Sequence, residues 1–331
     1  MEHAILTERL SKAYGRRLGI ADLDLQVRPG EVFGFIGPNG AGKTTTIRLL
    51  LGLIRPTGGR ATVLGLDAQG QSVAVHRSIG YLPGDFGVDV RMTGRQLIRY
   101  FSRLRASDQS RHAQTVGAGA ASVGIRGWEA SAQQMADRLG LDLDVPMGRL
   151  SRGNRQKIAL VQALYHRPPL LILDEPSTGL DPLVQDTFMQ IIREARAEGR
   201  TVFLSSHVLS EVERVCDRVG IVRAGRMAAL ETTESLLEKR RKRVTMVFDR
   251  VVDAAVFTSL PGVSDVWADG PRISLRLHDG IDAVIKEASR HTVLDMVVEH
   301  PTLDEVFMSY YDEGTVPHGG QTLPGGGPVA S

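Results

Sequence analysis

The sequence predicts an α/β fold followed by a smaller α+β domain. A short apolar run, Glu31–Ile36, leads into a glycine-rich loop and then a helical pattern. Leu170–Leu173 is a second apolar run, of the kind required by a strand that is buried on both faces. Thr201–Ser206 repeats the strand pattern after an intervening helical stretch. Such alternation of strands and helices is typical of α/β proteins.

The composition of the chain indicates which partners and which cell compartment to expect. Among 331 residues, 40 basic and 38 acidic side chains leave a net charge of +2, so no nucleic-acid partner is expected. The single cysteine, Cys216, cannot form an internal disulfide, which favours a reducing compartment, and its helically spaced apolar neighbours predict a core position. No apolar run approaches the ~18 residues that cross a bilayer, and the N-terminus lacks a signal-peptide pattern. We therefore expect a soluble, cytoplasmic chain.

The first strands precede the glycine-rich loop. Between Ala4 and Val27 we predict short strands, because Leu23, Leu25 and Val27 alternate with polar residues. Tyr14 falls in a turn-like segment ahead of them. Its ring is available either to stack on an adenine or to pack against the protein.

The glycine-rich loop fits the phosphate-binding pattern G-x-x-x-x-G-K-[ST]. Its glycines allow successive N–H groups to point at one anion, and the helix that follows adds its partial positive charge. Lys43 supplies a full charge to the phosphates, and the Thr44 hydroxyl can bind Mg²⁺. The predicted phosphate-binding residues are Gly37, Pro38, Asn39, Gly40, Ala41, Gly42, Lys43, Thr44 and Thr45.

The middle of the chain reads as a mainly helical subdomain at about residues 86–165. It follows Ser78–Asp85, which is predicted as a strand that runs into a loop. Gly94–Leu104 has Leu97, Ile98, Phe101 and Leu104 on one face of a helix. A segment at about 106–130, rich in Gly, Ala, Ser and Gln, is predicted to be a flexible insertion, either a spacer or a loop that contacts a partner.

Two acidic residues follow the buried run at Leu170–Leu173. Asp174 and Glu175 lie where an α/β sheet places its ligands, and strand alternation is expected to send their side chains to opposite sides. Asp181 is placed to cap a helix, and His207 lies just past the strand Thr201–Ser206.

Several of these stretches together resemble an ABC-family ATPase over about residues 4–230. The matching stretches occur in the family's order and are the Walker A loop at 37–45, the signature at Leu150–Asn154, Walker B at Leu170–Glu175, the D-loop at Ser177–Asp181, the switch histidine His207 and the adenine-stacking Tyr14. The signature is the most specific of them, because many phosphate-loop enzymes carry the Walker motifs alone.

Two departures from the family pattern are visible. The signature has Arg152 and Asn154 where the family usually has a glycine and a glutamine, but it keeps Ser151 and Gly153. The glutamine that usually follows Tyr-Leu-Pro is replaced by Gly84 and Asp85. Asp85 either takes over contact with a metal-bound water or belongs to a loop that merely connects.

The resemblance implies a role for each matched residue. Lys43 and Thr44 act with Mg²⁺ on the phosphates of ATP, Asp174 holds the metal, Glu175 polarises the attacking water and His207 braces the γ-phosphate. The resemblance also implies a homodimer formed on ATP binding, in which Ser151 and Gly153 contact a nucleotide held by the other subunit's phosphate loop. Asp181 is expected to bind nucleotide as well.

The C-terminal region begins at a basic run and is predicted as an α+β domain at residues 239–312, with a disordered tail at 313–331. Val244, Met246 and Phe248 alternate as in a strand, and Thr302–Glu305 forms a capping box for a last helix. The region resembles the extension of exporter ATPases whose permease is a separate chain, which implies a regulatory or dimer-supporting role.

The leading hypothesis is therefore the ATP-binding and ATP-hydrolysing subunit of an ABC exporter, peripheral on the inner face of the cell membrane through a separate permease. The alternative is a soluble ABC ATPase that acts on ribosomes or DNA. The single nucleotide cassette and the lack of zinc or coiled-coil insertions count against it. An importer subunit is a third reading, disfavoured by the C-terminal resemblance.

Overall fold

The computed structural model describes residues 2–87, 89–106, 127–238, 242–277 and 280–299. The chain divides into two compact units, Met1–Glu238 and Lys239–Ser331. The strands of the first unit are β1 (Ile5–Tyr14), β2 (Arg17–Val27), β3 (Val32–Ile36), β4 (Gly58–Val63), β5 (Leu66–Asp67), β6 (Ile79–Leu82), β7 (Leu170–Asp174), β8 (Thr201–Ser206), β9 (Arg218–Arg223) and β10 (Arg226–Thr232). Its helices are α1 (Lys43–Leu50), α2 (Ser72–Ser78), α3 (Gly94–Ala106), α4 (Trp128–Arg138), α5 (Arg152–Leu164), α6 (Pro182–Ala197), α7 (Leu209–Val215) and α8 (Thr233–Glu238).

A six-stranded sheet in the order β10-β9-β3-β8-β7-β6 forms the centre of the first unit. Strands β3, β6, β7, β8 and β9 run parallel, and β10 pairs antiparallel with β9 at one edge. Every residue of β3, β7 and β8 is buried. This confirms the prediction of a strand covered on both faces at Leu170–Leu173 and of strands at Glu31–Ile36 and Thr201–Ser206. Phe33 and Phe35 pack on Phe203 with ring centroids 5.9 and 5.5 Å apart.

The parallel register brings three chain segments to one edge of this sheet. Ile36 of β3 pairs with Ser206 of β8, and Asp174 of β7 pairs with Ser205. The phosphate loop, Glu175 and His207 each leave the carboxyl end of one of these strands and therefore emerge side by side.

A four-stranded antiparallel sheet in the order β2-β1-β4-β5 completes the mixed α/β fold. Strands β1 and β2 form a hairpin in which Tyr14 pairs with Arg17, so Tyr14 is the last residue of a strand and not part of a turn. Leu23, Leu25 and Val27 of β2 are buried at alternate positions, as predicted.

Helices α3, α4 and α5 lie in the predicted helical region. In α3, Leu97 and Ile98 are buried, but Leu104 is 51% exposed, so the predicted apolar face is shorter than expected. Cys216 is buried, as expected. The helical spacing from Val208 onward on which that expectation was based is only partly correct, because Val208 is exposed and α7 ends at Val215.

The second unit contains an antiparallel sheet in the order β12-β13-β11-β14. Its described elements are β11 (Lys242–Phe248), α9 (Ala255–Thr258), β12 (Val263–Asp269), β13 (Arg272–Leu277), α10 (Asp282–Ala288) and β14 (Val293–Glu299). Val244, Met246 and Phe248 are buried at alternate positions of β11 in a separate apolar core, as predicted. Strand β12 and helix α9 were not predicted from the sequence.

Some predictions lie wholly or largely outside the described residues. These are the insertion at about 106–130, the start of the basic run at 239–243, the capping box Thr302–Glu305 and the tail at 313–331. Among the helices in the described ranges, none is both long and apolar enough to cross a membrane.

Candidate active site

The phosphate loop requires glycine at two positions. A Cβ atom on Gly37 would lie 2.3 Å from the carbonyl oxygen of Val222. Gly42 has a φ of 112°, and a Cβ atom there would lie 2.7 Å from the side chain of Ile20. Any larger residue at either position would move the loop. Between them, Pro38, Asn39 and Gly40 are exposed, whereas Ala41 is buried.

Lys43 begins α1 and points back into the loop. Its Nζ donates to the carbonyl oxygens of Gly37 at 2.6 Å and Pro38 at 3.3 Å, and the residue is 5% exposed. The first N–H groups of a helix lack intrahelical acceptors, and no side chain caps α1. Thr44 is exposed and Thr45 half-buried in the same first turn. This arrangement offers backbone donors, one ammonium group and a hydroxyl to an anion.

Asp174 and Glu175 take different positions at the end of β7. Asp174 is 2% exposed and accepts a 2.6 Å hydrogen bond from the Ser205 hydroxyl. Glu175 has a φ of +48°, and its N–H donates to both the carbonyl oxygen (3.2 Å) and the hydroxyl (3.1 Å) of Ser205. The expectation that strand alternation separates the two side chains is therefore wrong, because the strand ends at Asp174 and a left-handed turn directs Glu175.

The carboxylate of Glu175 joins the two other predicted catalytic residues. Its Oε1 lies 3.5 Å from Lys43 Nζ and 3.2 Å from His207 Nδ1. Its Oε2 accepts from the Thr178 hydroxyl at 3.4 Å. The geometry thus places an acid, an ammonium group and an imidazole around one point beside the phosphate loop.

Tyr81 on β6 belongs to the surroundings of Asp174. Burial, with a further contribution from the Asp174 carboxylate, raises the pKa of Tyr81 to about 12. The loop after β6 also approaches this acid, since a Cβ on Gly84 would lie 3.4 Å from Asp174 Oδ2. Asp85 is exposed, and its contact with a metal-bound water stays a prediction.

Tyr14 lies close to the start of α1. A Cβ on Gly19 would lie 3.0 Å from Tyr14 Cε2 and 3.3 Å from the Thr45 methyl group, so the ring and the helix start share one neighbour. The Lys12 ammonium group lies 5.2 Å from the ring centroid, and the tyrosine is 46% exposed. An exposed ring beside a phosphate loop can stack on a base, but no described contact tests this.

The signature and D-loop residues are positioned by helix caps. Ser151 caps α5 by accepting from the N–H of Asn154 at 3.2 Å, and Asp181 caps α6 by accepting from Val184 at 3.0 Å. A Cβ on Gly153 would lie 2.8 Å from the carbonyl oxygen of Gly179, so these two segments touch. In the described residues, no hydrogen bond joins Ser151 or Gly153 to the chain's own phosphate loop.

Ser205, which was not predicted from the sequence, holds both acidic residues in place. Its hydroxyl donates to Asp174 and accepts from the N–H of Glu175. The available signal was a pair of serines, Ser205 and Ser206, at the end of an otherwise apolar strand. Without the strand order, nothing in the sequence indicated that β8 is the neighbour of β7.

Comparisons with known proteins identify the family of this chain. The family model described as "ABC transporter" matches residues 20–178. The chain is 32% identical to the daunorubicin resistance ATP-binding protein DrrA3 of Streptomyces coeruleorubidus, with 92% of this chain and 95% of that protein covered. A solved structure titled as the ATP binding subunit of an ABC transporter has a TM-score of 0.61 and 27% identity, with 71% of this chain and 92% of that chain covered.

Some relatives are much longer than this chain. It is 32% identical to ATP-binding cassette sub-family A member 7 of Rattus norvegicus over 317 residues, which cover 91% of this chain. The chain spans only 14% of the length of that relative.

Proposed function

This chain belongs to the ABC transporter family, and from that premise we propose that it is the ATP-binding and ATP-hydrolysing subunit of an exporter with a separate membrane permease. The observation that carries the proposal is the contact of Glu175 with both Lys43 and His207 beside the phosphate loop. Phosphoryl transfer depends mainly on charge neutralisation and positioning, and these three groups with the backbone of the loop provide both.

In this proposal, Lys43 is the first residue to bind the phosphates. Its ammonium group is shared between two carbonyl oxygens and the Glu175 carboxylate, which lies 3.5 Å away. A phosphate carries more charge than these partners and would draw the ammonium group towards itself. Glu175 would then be released to accept a hydrogen bond from the attacking water, and His207 would brace that water and the γ-phosphate.

The residues at the site fit a bound Mg²⁺ ion. Asp174 offers a buried carboxylate whose orientation is fixed by Ser205, and Thr44 offers an exposed hydroxyl. In the part of the chain that the structure describes, no three acidic, histidine or cysteine residues form a metal cage. Mg²⁺ commonly uses one or two carboxylates and the substrate phosphates instead. Its chemistry would be to neutralise phosphate charge.

A second copy of the chain is the proposed partner at the signature. Ser151 is exposed at the N-terminus of α5, and Gly153 lies in the first turn of the same helix. A helix N-terminus favours an anion, so this surface suits the γ-phosphate of a nucleotide held by another subunit. Asp181 would support this contact through the D-loop, and Tyr14 would stack on the adenine.

Export is supported by the likeness to DrrA3, whose name states resistance to daunorubicin, and by the extent of the match, which covers both units of this chain. The permease would hold the subunit at the inner face of the cell membrane. Copurification of a multi-span membrane protein with the tagged full-length chain from membranes would support this part of the proposal. Recovery of ribosomes or DNA instead would favour the alternative.

The catalytic part is tested with Glu175→Gln in the full-length protein. The variant keeps the shape of the side chain but loses the carboxylate, and a general base typically contributes ~10²–10⁴-fold in rate. We expect steady-state ATP hydrolysis by the wild-type protein, a loss of at least about 100-fold in the variant, and an ATP-bound dimer of the variant on gel filtration.

Glu198→Gln is the matched control, since Glu198 pairs on the surface with Arg167 and Arg200. It should keep wild-type activity. A Glu175→Gln protein with full ATPase activity would show that another residue is the base. A wild-type protein that neither binds nor hydrolyses ATP would overturn the proposed function.

A further inference from the structure

Glu211 is a buried acid on α7, behind the site described above. It is 8% exposed, and a single oxygen atom, Oε2, accepts from two serines. The Ser177 hydroxyl donates to it at 2.6 Å. The Ser206 hydroxyl lies 3.3 Å from it and shares its hydrogen between this carboxylate and the Val208 carbonyl oxygen at 3.2 Å. Nothing in the predicted or proposed roles of the site uses this residue.

The two serines belong to the two segments that hold Glu175. Ser177 precedes Thr178, whose hydroxyl donates to Glu175 Oε2 at 3.4 Å. Ser206 precedes His207, which contacts Glu175 Oε1 at 3.2 Å. One atom of Glu211 therefore ties together the two segments that flank the carboxylate of Glu175 on either side.

Helix α7 gives Glu211 a fixed position. A Cβ atom on Gly34 of β3 would lie 2.8 Å from Val212 Cγ1 and 3.0 Å from Cys216 Sγ, so the helix and its end pack directly on the strand that leads into the phosphate loop. The N–H of Val208 also donates to the Ser206 hydroxyl at 2.9 Å, which closes the turn before α7. The acid is thus anchored to the sheet whose strand β3 leads into the phosphate loop and Lys43.

Stability alone is a poor explanation for a carboxylate at this place. A buried acid costs free energy unless it is paired or hydrogen-bonded. Among the described residues, no salt bridge joins Glu211 to a cation, so it depends on the two hydroxyl donors. Hydroxyl–carboxylate bonds are short and directional. An apolar residue would fill the space more cheaply but would fix neither segment.

We propose that Glu211 is a positioning residue for ATP hydrolysis, which sets the D-loop and the His207 segment at the spacing that aims Glu175 at the attacking water. This inference rests on the proposed function. It assigns no direct contact with ATP to Glu211.

The test compares Glu211→Ala, Glu211→Gln and Ser177→Ala in the full-length protein by steady-state ATPase kinetics. We expect Glu211→Ala to lower kcat about tenfold or more, with KM for ATP within about twofold of the wild-type value, because the phosphate loop is left intact. Glu211→Gln keeps an acceptor oxygen and should recover part of kcat. Ser177→Ala should lower kcat less than Glu211→Ala does. The double variant with both Ser177→Ala and Glu211→Ala should have a kcat no lower than that of Glu211→Ala alone.

Glu31 provides a matched control, since it is also 8% exposed but pairs with Arg218 and the N–H of Arg28. Glu31→Ala should lower the melting temperature while the folded protein keeps its kcat. If Glu211→Ala does not fold, kcat of the Ser177→Ala and Glu211→Gln variants still tests the proposal.

The inference is overturned if the Glu211 variants keep wild-type kcat, if KM rises as much as kcat falls, or if the Ser177 and Glu211 losses are additive. These outcomes leave the proposed function standing, as long as the wild-type protein hydrolyses ATP. An inactive wild-type protein would instead remove the proposed function and this inference with it.

Discussion

Glu175 combines an unusual backbone conformation with the central contacts of the site. Its φ of +48° is uncommon for a residue other than glycine and costs on the order of 1 kcal/mol. Two hydrogen bonds from its N–H to Ser205 hold this conformation, and Lys43, His207 and Thr178 surround the carboxylate. The turn moves Glu175 out of the strand that buries Asp174, so two adjacent acids can have separate tasks.

His166 affects the stability of the fold and is not part of the candidate active site. It lies just after α5, with its Nε2 3.2 Å from the Ile79 carbonyl oxygen and its buried Nδ1 without a partner in the described residues. Burial, with a smaller contribution from the charge of Arg105, lowers its pKa to about 3. The folded protein therefore holds this histidine neutral over the range in which an unfolded chain would protonate it.

This depressed pKa predicts a loss of stability in mild acid. Below pH about 6.5 the unfolded state binds a proton that the folded state does not bind, so the free energy of unfolding falls as pH decreases towards 3. The expected contribution is about 1.4 kcal/mol per pH unit in that window. His166→Gln removes the titration, and urea unfolding at pH 7.5 and 5.5 should show a smaller loss for this variant. An equal loss in both proteins would mean that other groups cause the acid sensitivity.

At the scale of elements, sequence prediction succeeded where burial is complete. Strands β3, β7 and β8 have no exposed residue, so their apolar runs identify them without further information. Strands β10 and β12 lie at sheet edges, contain no buried residue and were not predicted. The phosphate loop, Asp174, Glu175 and His207 were predicted from local patterns, and the structure places Glu175 in contact with Lys43 and His207.

The parts of the site that sequence analysis missed depend on which elements are neighbours. Ser205 donates a hydrogen bond to Asp174 from the neighbouring strand. Glu211 accepts a hydrogen bond from Ser177, which lies 34 positions earlier in the chain. Neither contact has a local pattern. Both depend on the strand order and on the packing of α7, which follow from tertiary structure.

The packing of α7 on β3 gives a prediction at this scale. Gly34→Ala would place a Cβ atom 2.8 Å from Val212 Cγ1 and 3.0 Å from Cys216 Sγ, so these side chains, or the helix that carries Val212, must shift. Overpacking of this kind typically costs ~1–3 kcal/mol. We expect a lower melting temperature and, because α7 follows His207 directly, a lower kcat. Gly87→Ala is the control, since a Cβ there meets nothing within 4 Å; equal behaviour of the two variants would contradict the tight packing.

At the scale of the whole molecule, the residues of the proposed chemistry all belong to the first unit. The second unit, Lys239–Ser331, has its own core around Val244, Met246 and Phe248. In its described part we find neither a phosphate loop nor a cluster of metal-binding residues. The match to DrrA3 nevertheless extends over 92% of this chain, so both units are shared with that relative. A regulatory or dimer-supporting role for the second unit is therefore our proposal.

Truncation after Glu238 tests that role. Residues 1–238 hold the complete phosphate loop, the Glu175 site and an independent core, so the shortened chain should still bind ATP with about the affinity of the full chain. If the second unit supports the dimer, the truncated Glu175→Gln protein should form its ATP-dependent dimer only at higher protein concentration than the full-length variant. Sedimentation velocity over a concentration series, with and without ATP, measures this shift. A truncated variant that dimerises as readily as the full chain would leave regulation, and not dimer support, as the remaining role for the second unit.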